Sequence, residues 1–172
     1  SPMVRDKDPE QLAKRYIDLK KQGFTAAKIF VNGNDKSLKE GHDEYFSGRI
    51  EMELEKVKIC REAVGYDFDF ILEAHRGMTL PEAVAFGRAV EPYRPMVLED
   101  PVTPDNYDTM AEVASKIGVP IATGERFTSR REFEVLMSRH AAQYVRPDVC
   151  AIGGITTAKK VAAIAEAHDV LV

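Results

Sequence analysis

The sequence predicts an α/β fold, a partial TIM-type (β/α) barrel with about six strands. Along the 172 residues, short runs rich in β-branched and aromatic residues alternate with amphipathic helical runs. The links between these runs are short, which is typical of parallel strands joined by right-handed crossovers. An open doubly wound sheet also fits this alternation, but no G-x-G-x-x-G fingerprint follows the first predicted strand.

The first half of the chain predicts two helices, one strand and one long loop. Apolar residues at mixed spacings of three and four predict a helix over 9–22, which Gly23 ends. The run 27–31 is apolar and partly β-branched, so it predicts a strand. Residues 32–48 are polar and charged, which favours a long loop. A second helix is predicted over 50–64.

The second half alternates more regularly. Thr79 and Glu82 form a capping-box pattern before a helix, and Ser129 and Glu132 form another. The predicted strands are 68–73, 96–99, 120–123, 143–147 and 169–172, and the predicted helices are 79–90, 106–117, 129–138 and 156–167. Because no linker or low-complexity segment interrupts the pattern, residues 1–172 are interpreted as one partial-barrel catalytic domain.

The composition argues against several classes of function. The net charge is −4 and the basic residues are scattered, so no nucleic-acid partner is expected. No apolar run approaches the roughly 20 residues that a membrane span needs. Cys60 and Cys150 belong to no metal-binding or redox motif. Two reduced thiols are typical of a cytoplasmic protein, which is the predicted location.

Three glutamates each follow a predicted strand. Glu73, Glu99 and Glu125 are separated by 26 residues, since 99 − 73 and 125 − 99 give the same number. One strand–helix unit of a barrel has about this length, so the spacing predicts equal heights at the carboxyl-terminal face. Three carboxylates there would repel by about 4 kcal/mol per pair at about 4 Å. A Mg²⁺ ion bound by their oxygens removes that penalty. The alternative is three solvated loop acids that never meet.

Several motifs together carry a family resemblance. They are EAHRG at 73–77, EPYRP at 91–95, LEDPV at 98–102, PIATGER at 120–126, RPD at 146–148 and GGIT at 153–156. In order and spacing they resemble the barrel domain of the enolase superfamily, in its mandelate racemase/muconate lactonizing enzyme branch. The likeness is greatest to acid-sugar dehydratases of the galactonate dehydratase type.

The resemblance implies that Glu73, Glu99 and Glu125 bind Mg²⁺. The first ligand of the family is usually aspartate, so Glu73 is one methylene longer. His75 resembles the general acid that helps the 3-hydroxyl leave. Two residues beyond Glu73, it is expected to face the same side of the strand, where an imidazole can donate a proton near neutral pH. The alternative is a surface histidine.

Two further residues are candidates for catalysis. The resemblance implies that Asp148 orients a histidine of the following strand, and that this pair removes the proton α to the carboxylate. That histidine is expected just beyond Val172, so the isolated 172 residues are expected to lack turnover. Lys28 corresponds to the first lysine of a Lys-x-Lys pattern whose second position is here Phe30, which favours dehydration over two-base racemisation. The alternatives are a capping acid at Asp148 and a non-catalytic polar residue at Lys28.

The resemblance therefore implies a Mg²⁺-dependent hydro-lyase that converts a sugar acid into a 2-keto-3-deoxy acid. An epimerase or racemase on the same scaffold is one alternative, and a catalytically incomplete barrel fragment is another. The capping domain that precedes the barrel in the family is expected to lie outside these 172 residues. Because six strands do not close an eight-strand barrel, exposed edges and self-association into a homo-oligomer are expected.

Overall fold

A parallel sheet of six strands forms the centre of the computed structural model, which describes residues 3–4, 8–31 and 45–172. The strands pair in chain order, each with the next. Their bounds are β1 (Met3–Val4), β2 (Ala26–Phe30), β3 (Asp69–Glu73), β4 (Val97–Glu99), β5 (Ile121–Thr123) and β6 (Tyr144–Val145). Sequential parallel pairing is the arrangement of a (β/α) barrel, and the predicted fold class is confirmed.

A helix connects each strand to the next, and another follows the last. Their bounds are α1 (Pro9–Lys21), α2 (Phe46–Val64), α3 (Leu80–Val90), α4 (Tyr107–Lys116), α5 (Arg130–Ser138) and α6 (Ile155–Ala167). Both predicted capping boxes are present, at the starts of α3 and α5. In the part of the chain that the structure describes, every helix is too short or too polar to cross a bilayer.

The two faces of the sheet differ in what covers them. Ile29, Leu72, Leu98 and Ile121 belong to one face, are fully buried and form part of the core beneath the helices. The other face carries Lys28 and Phe30 of β2. Their register partners on the following strands share this face, and these are Ile71, Glu73, Val97, Glu99, Ala122 and Tyr144. Glu99 and Ala122 line a cavity of about 250 Å³ on this second face. The predicted site residues of β2, β3 and β4 therefore share the face that the helices leave uncovered.

The strands at the two edges of the sheet differ from the sequence prediction. Met3–Val4 pairs with Lys28 and Ile29, although two residues are too few to show a periodic pattern. At the other edge, the predicted strand 169–172 is reduced to a single bridge between Tyr144 and Leu171. Exposed apolar side chains accompany this edge, including Ile155 and Val172.

The predicted loop 32–48 needs one correction. Helix α2 begins at Phe46, so Phe46, Ser47 and Gly48 are helical. The N-cap residue, Tyr45, makes no side-chain capping hydrogen bond, and serine and glycine are weak helix formers, so the sequence carries no start signal there. Residues 32–44 of the predicted loop lie outside the described residues.

Candidate active site

Glu73 and Glu99 are direct register partners at the ends of β3 and β4. Both side chains are almost fully buried, at 3% and 1% exposure. Glu125 does not share their height, because Glu99 pairs with Ala122 and Glu125 lies three residues further along the chain. The equal spacing of 26 residues thus gives equal height only for the first pair. The prediction is wrong for Glu125, because it follows the end of β5 at Thr123 and a left-handed glycine, Gly124.

Two cationic side chains converge on the buried pair. The Lys28 ammonium lies 3.0 Å from Glu73 Oε2 and 2.6 Å from Glu99 Oε2. Arg146, just after β6, forms an ion pair with Glu99 Oε1. Because burial strengthens electrostatic interactions, these contacts offset the repulsion between the two carboxylates.

Glu125 forms an ion pair with a different cation, Arg76. The guanidinium of Arg76 donates a hydrogen bond to Glu125 Oε1 and lies 3.4 Å from Asp100 Oδ2. The hydroxyl of Thr123 donates to Asp100 Oδ1 at 2.5 Å. Arg76 and Asp100 therefore connect the third glutamate to the ends of β3, β4 and β5.

Asp100 is the buried acid of the site with a shifted proton affinity. Burial raises its pKa to about 6, and the charges of Glu125 and Glu73 act in the same direction. The Thr123 hydrogen bond and the Arg76 charge oppose this shift without overcoming it. Asp100 also has a left-handed backbone, with φ of 44°. Such conformations are uncommon outside glycine, and they concentrate at functional sites.

β3 ends at Glu73, two residues before His75, so the orientation expected for His75 from strand alternation stays a prediction. His75 lies in a turn with φ of 50°, so strand alternation no longer fixes its direction. Its backbone N–H donates to Glu73 Oε1 at 2.9 Å. Its exposed ring lies 2.8 Å from an Arg76 nitrogen, and its centroid lies 6.1 Å from that of Phe30. His75 therefore borders the carboxylates, while its role as the acid stays a prediction.

Asp148 lies on the other side of the site. Its Oδ1 accepts hydrogen bonds from the backbone N–H groups of Cys150, at 2.7 Å, and Ala151, at 3.1 Å. These are the contacts of a turn-capping acid, the alternative considered above. Asp148 also lines a cavity of about 610 Å³ together with Glu125 and Arg146. The proposed partnership with a histidine stays a prediction.

The three glutamates fit a hard divalent cation by chemistry, and the present arrangement holds them apart. Carboxylate oxygens are the donors that Mg²⁺ prefers. Glu99 Oε2 is buried and, among the described residues, receives no well-directed hydrogen bond despite the nearby ammonium. Across 8–31 and 45–172, however, no three histidine, cysteine, aspartate or glutamate side chains are grouped to hold one ion.

Sequence reasoning gave no role to Arg76, Asp100, Thr123 or Arg146. Arg76, Asp100 and Arg146 fall within or next to strand-end motifs, and charged residues at the carboxyl ends of barrel strands are a general signal of a site. The TGER motif that supplies Glu125 also contains Arg126. Arg126 is exposed and lines a separate polar cavity of about 580 Å³ with Arg76 and Tyr107.

Comparison with known proteins agrees with this fold and arrangement. The profile of the enolase C-terminal domain-like family matches residues 10–172. The chain therefore belongs to the enolase C-terminal domain-like family. The resemblance to the mandelate racemase/muconate lactonizing enzyme branch, and within it to galactonate dehydratases, is confirmed.

Individual relatives lie in the same branch. D-galactonate dehydratase of Cronobacter sakazakii is 36% identical over 124 residues, which are 72% of this chain and 32% of that protein. A mandelate racemase/muconate lactonizing enzyme-like protein from Roseovarius sp. TM1035 superposes with a TM-score of 0.87 at 35% identity, covering 95% of this chain and 41% of that one. A racemase from Streptomyces coelicolor A3(2), solved with bound magnesium, gives a TM-score of 0.83 at 27% identity, covering 95% and 42%. The chain thus spans about a third of the length of the curated relatives it matches.

Proposed function

We propose that the protein containing this chain is a Mg²⁺-dependent dehydratase that converts a sugar acid into a 2-keto-3-deoxy acid. The observation that carries the proposal is the buried register pair of Glu73 and Glu99 at adjacent strand ends, with Glu125 one strand further on. The likeness to D-galactonate dehydratases supports a sugar acid as substrate. A homo-oligomer in the cytoplasm, without nucleic-acid or membrane partners, belongs to the same proposal.

Glu73, Glu99 and Glu125 would hold the cation. When bound, Mg²⁺ supplies Lewis-acid polarisation of the substrate carboxylate, which makes the neighbouring C–H more acidic. The burial of Glu73 and Glu99 keeps water away from one side of the site and strengthens these interactions.

His75 would deliver a proton to the departing 3-hydroxyl. Its ring is exposed beside the carboxylates and borders Arg76. An imidazole titrates near neutral pH and is suited to this step. Asp148 would act through a histidine of the following strand that removes the C2 proton. Lys28 lies at the buried carboxylates, and Phe30 occupies the position of a second lysine base, which favours one-sided elimination.

The proposal is tested by incubating the full-length protein with a panel of sugar acids that includes D-galactonate. Formation of a 2-keto-3-deoxy acid that stops on chelation and resumes with added Mg²⁺ is expected. Glu99→Gln should abolish turnover, while Glu112→Gln, on the exposed surface of α4, should leave it unchanged. Proton NMR in D₂O separates the alternatives: exchange at C2 without a keto product would instead indicate an epimerase.

A further inference from the structure

The position of Lys28 is not explained by a purely structural role inside the barrel. Its side chain starts on β2, is about 11% exposed, and reaches the ends of the next two strands. Its ammonium lies 3.0 Å from Glu73 Oε2 and 2.6 Å from Glu99 Oε2. The hydroxyl of Tyr16, itself fully buried, donates to the backbone carbonyl of Lys28 and anchors the strand at this point.

A single cation thus bridges the two buried carboxylates. Without a positive charge between them, two like charges would share a site from which water is excluded, and such an arrangement is strongly unfavourable. Arg146 relieves only Glu99, through the other oxygen. Lys28 is therefore the one cation that contacts both glutamates among the described residues.

The charged side chains of the site nearly balance one another, with four acids and three cations. The charged side chains linked by ion pairs are the acids Glu73, Glu99, Asp100 and Glu125 and the cations Lys28, Arg76 and Arg146. A divalent ion held by Glu73 and Glu99 would compete for the two carboxylates that face the ammonium. Because the ion and the ammonium repel each other at such short range, the carboxylates hold one or the other.

We propose that Lys28 is an internal competitor of the divalent cation, so that metal loading exchanges one cation for another. The inference rests on the proposed function, because it takes Glu73 and Glu99 as metal ligands. Lys28 keeps the ligands close together and correctly paired before the metal arrives. It also weakens metal binding, because metal binds only to molecules in which the ammonium has withdrawn. The smaller that fraction of molecules is, the lower the apparent affinity becomes.

The test compares metal affinity and stability in the full-length protein. Mg²⁺ and Mn²⁺ are titrated by calorimetry into the wild type, Lys28→Met and Lys56→Met, and thermal unfolding is followed in EDTA. Lys56 is the matched control, because its ammonium is also buried and lies 2.9 Å from the Glu53 carboxylate, within helix α2. Lys28→Met should bind metal about tenfold or more tightly and unfold at a lower temperature in EDTA. Lys56→Met should lose stability and keep the wild-type affinity.

The outcomes separate this inference from the proposed function. Unchanged or weaker metal binding by Lys28→Met, with binding by the wild type, overturns the competition and leaves the metal site standing. No metal binding by either protein overturns both. If Lys28→Met does not fold, Lys28→Gln replaces it with the same expected sign. A crystal structure of the metal-bound wild type tests the exchange in every case. A Lys28 ammonium that still bridges Glu73 Oε2 and Glu99 Oε2 in that structure would overturn the proposal.

Discussion

Glu73 and Glu99 lie directly opposite each other on neighbouring parallel strands, and one ammonium bridges their carboxylates. Residues that pair across adjacent strands in a parallel sheet project from the same face, so the backbone register brings the two acids together. The arrangement is thus built into the sheet rather than into a flexible loop.

His75→Asn should lower the kcat of the full-length enzyme by about 10²- to 10⁴-fold, the usual contribution of a general acid. Metal affinity should stay at the wild-type value, because the contact to Glu73 comes from the backbone N–H of His75 and survives the substitution. Asparagine tolerates the left-handed conformation found at this position. Steady-state kinetics and metal calorimetry measure the two quantities.

His140→Asn is the matched control, since His140 is exposed, left-handed in backbone conformation and remote in sequence, beyond the end of α5. It should leave both quantities unchanged. If His75→Asn retains the full kcat, His75 has no part in the chemistry.

Asp100 should make the stability of the metal-free protein depend on pH. Burial raises its folded pKa to about 6 from the ordinary value of 3.8, so folding favours the protonated form. This contribution is fully present below about pH 4 and is lost as pH rises through about 6. A shift of about two pKa units corresponds to about 3 kcal/mol. Asp100→Asn removes the titration, so between pH 4 and 7 the variant should gain up to that amount relative to wild type.

Urea unfolding in EDTA at several pH values measures this difference. Thr123→Val is the companion variant, because the hydrogen bond from Thr123 lowers the Asp100 pKa. Losing that bond should move the pH transition upwards. A wild-type minus Asp100→Asn difference that does not change with pH would show that Asp100 does not titrate in this range.

Gly124→Ala should destabilise the protein by at least about 2 kcal/mol. Gly124 has φ of 122°, and a Cβ there would come within 2.5 Å of Phe133 Cε1, a fully buried ring. The substitution should also weaken metal binding, because relief of the clash displaces the adjacent Glu125. Urea unfolding and metal calorimetry test both effects.

Gly154→Ala separates the effect of backbone strain from the effect of a steric clash. Gly154 has φ of 99°, and an added Cβ would meet nothing within 4 Å. It should cost only about 1–2 kcal/mol, from the left-handed backbone, and leave metal affinity unchanged. Equal effects of the two substitutions on metal affinity would contradict the role given to Gly124.

The sequence was sufficient for the alternation of strands and helices, because periodicity and capping boxes are local signals. Thr79 and Ser129, for example, begin their helices as predicted. It was also sufficient to place Glu73 and Glu99 together, since each ends a strand. Where the backbone leaves regular structure, local patterns stop being informative. His75 itself has a left-handed backbone, so strand alternation does not fix its direction, and Glu125 follows the left-handed Gly124, so equal spacing misplaced its height.

Contacts between distant strands could not be predicted from spacing. Arg146 reaches Glu99 from β6 across the intervening β5, and Lys28 reaches it from β2 across β3. Such contacts depend on side-chain length and on the curvature of the sheet, which one sequence does not reveal. The same limitation hid the link from Arg76 to Glu125.

The most direct test is a crystal structure of the full-length protein soaked with Mn²⁺, with anomalous data collected at the manganese edge. The account predicts one anomalous peak about 2.0–2.2 Å from a carboxylate oxygen of each of Glu73, Glu99 and Glu125, with the Lys28 ammonium moved away. A peak elsewhere, or a site in which Lys28 still bridges Glu73 and Glu99 at saturating Mn²⁺, would contradict it.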